Sequence, residues 1–216
     1  MPTIDALYRG TAQPLGPQGK PSAIVKTAVE GPVAISHEGL AGDQQVDLKH
    51  HGGPDKALHQ YAQADYARLA EHFPELAHKL LPGTMGENFS VPEQDADTVC
   101  LGDIYQLGSA RIQVSEPRKP CWKINARFDH PDLVKVIDTE GLNGWYFRVL
   151  EPGHVQAGDN FQLLERPNPA WPMARFWHCY RRGENLAELH EAASLPGLSN
   201  LWQQKMMDIL DRKRAR

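Results

Sequence analysis

Residues 116–123 (EPRKPCWK) set one cysteine among three cations and two prolines. A thiolate is the reactive and metal-binding form of cysteine, and cationic neighbours such as Arg118, Lys119 and Lys123 favour it. Because Pro120 biases the residue before it toward an extended conformation, we expect Cys121 at a strand end or in a loop. Two interpretations of Cys121 stay open: a functional thiol, or the small buried apolar side chain that most unpaired cysteines provide.

Residues 49–57 (KHHGGPDKA) form a second polar segment. Gly52 and Gly53 let the backbone approach a ligand closely, and successive N–H groups in such a loop can bind an anion. The side chains that could donate to a phosphate or oxyanion are Lys49, His50, His51 and Lys56. The alternative is an ordinary Gly-Gly-Pro turn with solvated charges.

A zinc site in the same region is disfavoured. Adjacent histidines tend to point apart, and the spacing of His50, His51 and His59 matches no common zinc pattern. Two shorter motifs stay ambiguous. Lys20 and Ser22 precede an apolar run and could hold a phosphate, although Pro21 and the missing upstream glycines exclude a P-loop. Glu87 and Asn88 follow a glycine, and form either a turn or a hydrogen-bonding edge for a heterocycle.

Composition restricts the class of protein. The chain has 216 residues, 41% of them hydrophobic, and a net charge of −4, so it can bury a core and has no basic excess that indicates nucleic-acid binding. The three cysteines, Cys100, Cys121 and Cys179, form no Cys-x-x-Cys pair, which argues against structural zinc and iron–sulfur sites. With no signal peptide and no apolar run near 18 residues, we expect a cytoplasmic protein without membrane contact.

The pattern predicts a mainly β fold, a β-barrel or folded-over sheet, followed by a small all-α domain. Predicted strands lie at 23–25, 33–35, 99–101, 104–107, 110–114 and 160–164. Predicted helices lie at 62–73, 132–139, 173–181, 184–193 and 199–213. Residues 166–172 contain three prolines and read as a linker. We therefore expect one domain at 1–165 and a three-helix domain at 173–216, which at that size needs to dock on something.

The order of the motifs resembles the MOSC domain proteins, specifically the YiiM-type subfamily. The matching residues are Gly19-Lys-Pro-Ser22, Gly39-Leu-Ala-Gly-Asp43, His51-Gly-Gly-Pro-Asp55, Gly86-Glu-Asn88, Pro120-Cys-Trp-Lys123 and residues 153–159. The C-terminal helices resemble the three-helix domain that follows MOSC in that subfamily. The resemblance covers nearly the whole chain.

The resemblance implies a barrel-like fold that binds molybdenum cofactor, a molybdopterin whose metal takes one protein cysteine. Cys121 occupies that position and is the implied metal ligand; thiolate is a soft donor suited to such a metal. The residues that would hold the phosphate and pterin are Lys20, Ser22, Arg118 and Lys119, with Glu87 and Asn88 near the pterin. Gly52, Gly53 and Asp55 would belong to the pocket, and His51 would line it and deliver a proton.

The implied activity is a molybdenum-dependent oxidoreductase that reduces N-hydroxylated compounds, including hydroxylamino purines, to amines in detoxification. The sequence has no iron–sulfur cysteines and no dinucleotide fingerprint, so we expect a separate flavoprotein or ferredoxin-like electron donor that docks on the basic tail; a homodimer is also expected. One alternative is a carrier of cofactor or sulfur without turnover. Another is a cysteine-nucleophile hydrolase or transferase that uses Cys121 and a histidine.

Overall fold

The computed structural model describes residues 1–48 and 51–215, within which there are thirteen strands and six α-helices. The strands are β1 (Ala6–Arg9), β2 (Gln13–Leu15), β3 (Lys20–Ser22), β4 (Thr27–Val29), β5 (Val33–Ser36), β6 (Gly39–Leu40), β7 (Leu58–Gln60), β8 (Phe89–Ser90), β9 (Ile104–Leu107), β10 (Ala110–Pro117), β11 (Trp145–Glu151), β12 (Gly153–Val155) and β13 (Phe161–Glu165). The helices are α1 (Gln63–His72), α2 (Trp122–Phe128), α3 (Leu133–Glu140), α4 (Met173–Arg182), α5 (Leu186–Ala193) and α6 (Asn200–Arg214).

A curled eight-stranded sheet in the order β13-β9-β10-β11-β7-β8-β1-β4 dominates the fold. Its neighbours are antiparallel except for β7 and β8, which run parallel and meet at Gln60 and Phe89. A parallel pair needs a crossover connection, and here that crossover holds α1. The sheet and the helices at the C-terminal end confirm the predicted fold class.

The alternation of apolar and polar residues correctly predicted the longest strand, β10. Ile112 and Val114 are fully buried, while Arg111 and Gln113 between them are partly exposed, as the pattern of a half-buried strand predicts. The strand continues beyond the predicted 110–114 to Pro117. Its pairing with β11 is irregular at two places, between Arg111 and Ile112 and between Val114 and Glu116. The predicted strands at 33–35, 104–107 and 160–164 are confirmed by β5, β9 and β13.

Two predicted strands are wrong. Residues 23–25 lie between β3 and β4, where the carbonyls of Ala23 and Val25 pack against Gly10 and Lys26 turns toward a buried aspartate. Residues 99–101 form only an isolated bridge, between Cys100 and Pro172. The backbone N–H of Cys100 donates to Oδ2 of Asp103 at 2.9 Å, and this hydrogen bond closes a turn instead of extending a strand. Short apolar runs do not separate strands from packed turns.

The predicted helices are present within one or two residues of their expected ends. Gly141 ends α3 in a left-handed conformation (φ 74°), as a glycine after a helix commonly does. Ser199 caps α6, as expected from its type, by accepting a hydrogen bond from the backbone N–H of Trp202. The sequence pattern missed α2, which begins directly after Cys121.

The predicted three-helix unit packs directly on the sheet. The buried side chains of α4, α5 and α6, including Phe176, Trp177 and Trp202, belong to the same apolar cluster as Phe147 and Phe161 of the sheet. The segment 166–172 is fixed to the rest, because the Asn168 amide donates to the carbonyls of Leu101 and Pro196 at 2.8 and 2.9 Å. The domain boundary at 165 and 173 stays a prediction. No helix in the described residues is long and apolar enough to cross a membrane.

Candidate functional site

A cleft of about 90 Å³ opens at one side of the sheet, where β7, the end of β10 and the start of α2 meet. The segments that line it come from distant parts of the sequence. Its lining residues are Ser22, Ala23, Ile24, Lys26, Asp43, Gln44, Gln45, Val46, His51, Lys56, His59, Met85, Gly86, Asn88, Arg118, Cys121, Lys123 and Tyr146. The cleft therefore contains the one cysteine that the sequence pattern singled out.

Cys121 is the residue before α2 and is partly buried at the cleft. Its backbone is extended (φ −139°, ψ 168°), and it lies in the short loop between β10 and α2, which confirms the predicted loop. Cys121 is also the N-cap residue of α2. Pro120 restricts only the residue before it, which leaves the chain free to turn into a helix afterwards. The thiol caps none of the helix N–H groups and is thus left available to a ligand.

Trp122, the residue after Cys121, is the first residue of α2. It is 46% exposed, and the Lys20 ammonium lies 5.4 Å from the centroid of its ring. A cation at that distance over an indole is a favourable contact. Lys20 thus lies at the surface and is not part of the cleft lining.

Arg118 and His59 carry polar atoms that the protein leaves open at the cleft. Arg118 donates from Nη2 to the Met85 carbonyl at 3.0 Å, whereas its Nη1 has no hydrogen-bond partner in the described residues. His59 Nε2 also has none there. Buried polar atoms are nearly always paired, so two open ones on one cleft indicate a missing ligand or water. Six other residues of the described chain also have unpartnered buried atoms, but none of them lines the cleft: Gln60, Tyr61, Arg111, Arg127, Asn143 and Trp145.

Burial and the charge of Arg118 hold the pKa of His59 well below its usual value. The imidazole is therefore neutral near pH 7 and offers one donor and one acceptor nitrogen, depending on its tautomer. Tyr146, whose ring centroid lies 5.1 Å from that of His59, has a pKa raised to about 12 by burial, so its hydroxyl stays protonated. These two groups give the cleft neutral hydrogen-bonding capacity beside its charges.

Lys26 and Asp43 form a buried ion pair on the cleft wall, with Nζ and Oδ2 2.6 Å apart. The other carboxylate oxygen of Asp43 accepts from the Gly10 N–H at 2.7 Å, and the Asn88 amide donates to Oδ2 at 2.8 Å. Burial lowers the pKa of Lys26, which the charge of Asp43 partly offsets. Because Asn88 also donates to the Tyr8 carbonyl and accepts from the His59 N–H, its amide positions this wall.

Of the predicted site residues, the structure brings Ser22, His51, Asn88, Arg118 and Cys121 together at the cleft. Ser22 is buried, with its hydroxyl accepting from the Ile24 N–H at 3.2 Å. The backbone N–H of His51 donates to the Asp47 carbonyl at 2.8 Å. Lys49 and His50, which were expected to donate to an anion, lie outside the described residues.

Several predicted residues are not part of the cleft lining: Lys20, Gly52, Gly53, Asp55, Glu87 and Lys119. Gly53 has a left-handed backbone (φ 99°) and precedes a turn of 3₁₀ helix at Pro54–Lys56. Asp55 on that turn is held away by Arg148, whose Nε and Nη2 lie 2.7 Å from its Oδ1. Lys119 is exposed.

Glu87 faces the protein interior. Its Oε1 accepts from the Tyr66 hydroxyl and the Gly83 N–H, both at 2.5 Å, and its Oε2 accepts from the Met85 N–H at 3.1 Å. Burial raises its pKa, and these hydrogen bonds act in the opposite direction. Both oxygens are thus used to fold the segment that places Met85 and Gly86 at the cleft.

Sequence reasoning missed Lys26 and Tyr146 as lining residues and treated Asp43 only as part of a motif. Lys56, predicted as a donor to a phosphate or oxyanion, and Lys123, predicted as a cation beside Cys121, both line the cleft. A lysine next to strand residues and a tyrosine in an aromatic run carry no local signal of a site. Asp43 had one, since an aspartate that follows a glycine in Gly39-Leu-Ala-Gly-Asp43 can accept backbone hydrogen bonds. Among the described residues, no group of three or more His, Cys, Asp or Glu side chains is arranged to hold a metal ion.

Comparison with known proteins gives matches over nearly the whole chain. Protein YiiM of Escherichia coli is 37% identical over 203 residues, 93% of this chain and 89% of that protein. A protein of Gibberella moniliformis named "Reductase" is 38% identical over 177 residues, which cover 81% of this chain but 31% of that longer protein. The crystal structure of YiiM from Geobacillus stearothermophilus matches with a TM-score of 0.81 at 32% identity, covering 97% of this chain and 100% of the other.

The MOSC domain matches residues 47–162, which include the 3₁₀ turn, β7 to β12 and Cys121. Because the two YiiM proteins match over 93% and 97% of this chain, the similarity extends beyond the MOSC domain into the C-terminal helices. The chain belongs to the MOSC domain family and is of the YiiM type.

Proposed function

We propose that this protein is a molybdenum-cofactor-dependent reductase that converts N-hydroxylated compounds, such as hydroxylamino purines, to amines. The observation that carries the proposal is the cleft in which Cys121 lies beside Arg118 and His59, each with a buried atom open to a ligand. MOSC domains are associated with molybdenum cofactor binding, and one relative is named a reductase, which supports oxidoreductase chemistry.

The residues present fit such a cofactor. Four cations line the cleft, Lys26, Lys56, Arg118 and Lys123, against the single carboxylate of Asp43 among the lining residues described. That excess of positive charge suits an anionic phosphate. The open Nη1 of Arg118 and Nε2 of His59 suit a heterocycle edge with mixed donors and acceptors. Cys121 supplies a soft thiolate ligand, and a metal carried by an organic cofactor needs few other protein ligands.

We assign the roles accordingly. Cys121 is the metal ligand, Arg118 and Lys123 with Ser22 hold the phosphate, and His59 contacts the pterin. Lys26 is held by Asp43, so its ammonium stays beside the cleft. His51 lines the cleft and is our proposed proton donor to the departing oxygen.

The bound cofactor would supply the two-electron redox centre at which the N–O bond is cleaved. The overall reaction takes two electrons and two protons, forms one amine N–H bond and releases the hydroxyl oxygen as water. Protein groups at the cleft deliver the protons and hold the substrate. The electrons come from a separate donor protein of the flavoprotein or ferredoxin-like class.

The test is the molybdenum and pterin content per chain of protein made in a cofactor-competent host, for wild type, Cys121→Ala and the control Cys179→Ala. Cys179 is buried in α4 and lines no part of the cleft, so this control keeps molybdenum near the wild-type level. We expect close to one molybdenum per wild-type chain and at least a roughly tenfold loss in Cys121→Ala.

Turnover is measured next, with a hydroxylamino purine and a reduced viologen dye as electron source. Conversion to the amine by loaded wild type supports the reductase. Full cofactor content without conversion would make the protein a carrier of cofactor. Wild type without molybdenum or pterin would overturn the cofactor assignment and leave the cysteine-nucleophile alternative.

A further inference from the structure

Lys56, one of the cleft cations, is held by a carboxylate that also contacts the C-terminal helices. Its Nζ lies 3.5 Å from Oε1 of Glu116, and both side chains are at least nine-tenths buried. Glu116 is on β10, five residues before Cys121. The attraction between a buried ammonium and the carboxylate oxygen beside it fixes the position of the ammonium.

The second oxygen of Glu116 reaches α6. Oε2 accepts a hydrogen bond from the Ser199 hydroxyl at 2.5 Å, and that hydroxyl in turn accepts from the Trp202 N–H at the start of the helix. The Ser199 backbone N–H donates to the Ser115 carbonyl on β10 at 3.0 Å. One serine therefore caps α6 and fixes the orientation of the Glu116 carboxylate.

The charges around Glu116 agree with this arrangement. Burial raises its pKa, while the Ser199 hydrogen bond and the charges of Lys56 and Lys205 favour the ionised form. Lys205 is on α6, and burial lowers its pKa, with the charge of Glu116 acting against that shift. Helix α6 thus brings both a hydrogen-bond donor and a cation to the carboxylate that faces the cleft lysine.

We propose that Ser199 and Glu116 are positioning residues, through which the C-terminal helices hold the Lys56 ammonium at the cleft for an anionic cofactor. The inference rests on the proposed function for the identity of the anion, but not for the coupling itself. On this view the helices are part of the site although none of their residues lines it. Groups that orient a ligand-binding side chain commonly change affinity about tenfold or more when removed.

The chain offers a matched control for the serine. Asn185 caps α5 in the same way, with its side chain accepting from the N–H groups of Ala187 and Glu188. Removal of either cap costs about 1 kcal/mol of stability. Only the Ser199 cap is connected to Glu116, so Ser199→Ala and Asn185→Ala separate the loss of a helix cap from the loss of the coupling.

The first readout is molybdenum retained per chain after extended dialysis of the holoprotein. We expect about a tenfold loss in Ser199→Ala, none in Asn185→Ala, and recovery in Ser199→Thr, which keeps the hydroxyl. In a Lys56→Met background, Ser199→Ala should cause no further loss. Equal retention in the two alanine variants, or additive losses in the double variant, would overturn the proposal.

The second readout needs no cofactor. Lysines of the cofactor-free protein are converted to ¹³C-dimethyl-lysine, which keeps the charge, and the Lys56 resonance is assigned by its absence in Lys56→Met. We expect this resonance to shift in Ser199→Ala and to stay unchanged in Asn185→Ala. An unmoved resonance in Ser199→Ala overturns the coupling. A shift in protein that never binds molybdenum would keep the coupling and reject the proposed function.

Discussion

Glu87 and Arg118 are both buried and both form hydrogen bonds with the segment 83–88, but only Glu87 has partners among the described residues for all its polar atoms. Glu87 is surrounded: the Tyr66 hydroxyl and two backbone N–H groups take up its two oxygens. Arg118 makes one hydrogen bond to the same segment, at the Met85 carbonyl, and its Nη1 stays open toward the cleft. Both are ionisable and both are buried, yet one is complete within the fold and the other is not. At this cleft the complete group serves the fold, whereas the open atom of Arg118 is available to a ligand.

The largest effect that this comparison predicts is on stability. Glu87→Ala leaves the Tyr66 hydroxyl and the Gly83 N–H buried without their acceptor, so we expect a loss of about 3–5 kcal/mol. The Met85 N–H keeps the Tyr66 hydroxyl oxygen as an acceptor at 3.1 Å. Urea denaturation of the cofactor-free protein measures the loss of stability. Glu71→Ala, at an exposed glutamate of α1, is the control and should change stability by less than about 0.5 kcal/mol. A Glu87 variant as stable as this control would mean that the carboxylate is not part of the folding network.

The opposite behaviour is expected of Arg118. Arg118→Met removes a buried cation whose Nη1 has no partner among residues 1–48 and 51–215, so the free energy of unfolding of the cofactor-free protein should change by no more than about 1 kcal/mol. The same change should lower molybdenum content about tenfold, equivalent to about 1.4 kcal/mol of binding. Metal analysis measures the loss, with the exposed Arg182→Met as control. Full content in Arg118→Met would break the comparison, because the open atom would then mark no ligand.

Asp65 extends the comparison of Glu87 with Arg118 to a third buried ionisable group, whose ion-pair partner is Arg68. It is buried on α1, lies 3.6 Å from Arg68, and has its pKa raised by burial to about 7. Between pH 4 and 7 the folded protein keeps a proton here that the unfolded chain releases, so stability falls as pH rises through that window. From pH 5 to 6 we expect wild type to lose about 1 kcal/mol relative to Asp65→Asn. Urea denaturation of both proteins at pH 5 and at pH 6 measures this difference. An equal change in the free energy of unfolding for wild type and Asp65→Asn would contradict the prediction.

The sequence was sufficient for the parts of the fold that depend on local pattern. The alternation of Ile112 and Val114 with polar residues, and the spacing of apolar residues before Pro74, predicted a strand and a helix that both exist. The strand predicted at 23–25 was wrong, since Lys26 is drawn inward by Asp43, a contact between residues 17 positions apart. Helix α2 was missed, since its seven residues are too few to show a clear helical period of apolar side chains.

The residues of the site likewise fall into those that local sequence predicted and those that it did not. Cys121 and Arg118 were predicted because they are neighbours in sequence, so their chemistry is visible without a fold. His59 was named only as part of a disfavoured zinc site, and Lys26 was not named, because each reaches the cleft through strand pairing or a buried ion pair. Glu87 was assigned to the pterin by position in a motif, whereas its hydrogen bonds point inward. A motif identifies the segment but not the direction of each side chain, which tertiary packing decides.

The wide separation of the lining residues also bears on how the protein is made. A ribosome releases Ser22 and Lys26 long before Cys121 and Tyr146, and Ser199 emerges later still. The pairing of β1 within the sheet is delayed as well, because β1 can pair with β8 only after more than 80 further residues have been added. A nascent chain therefore has no cleft to fill until most of the polypeptide has emerged. A ligand that needs every wall of the cleft can bind only after Tyr146 has left the ribosome.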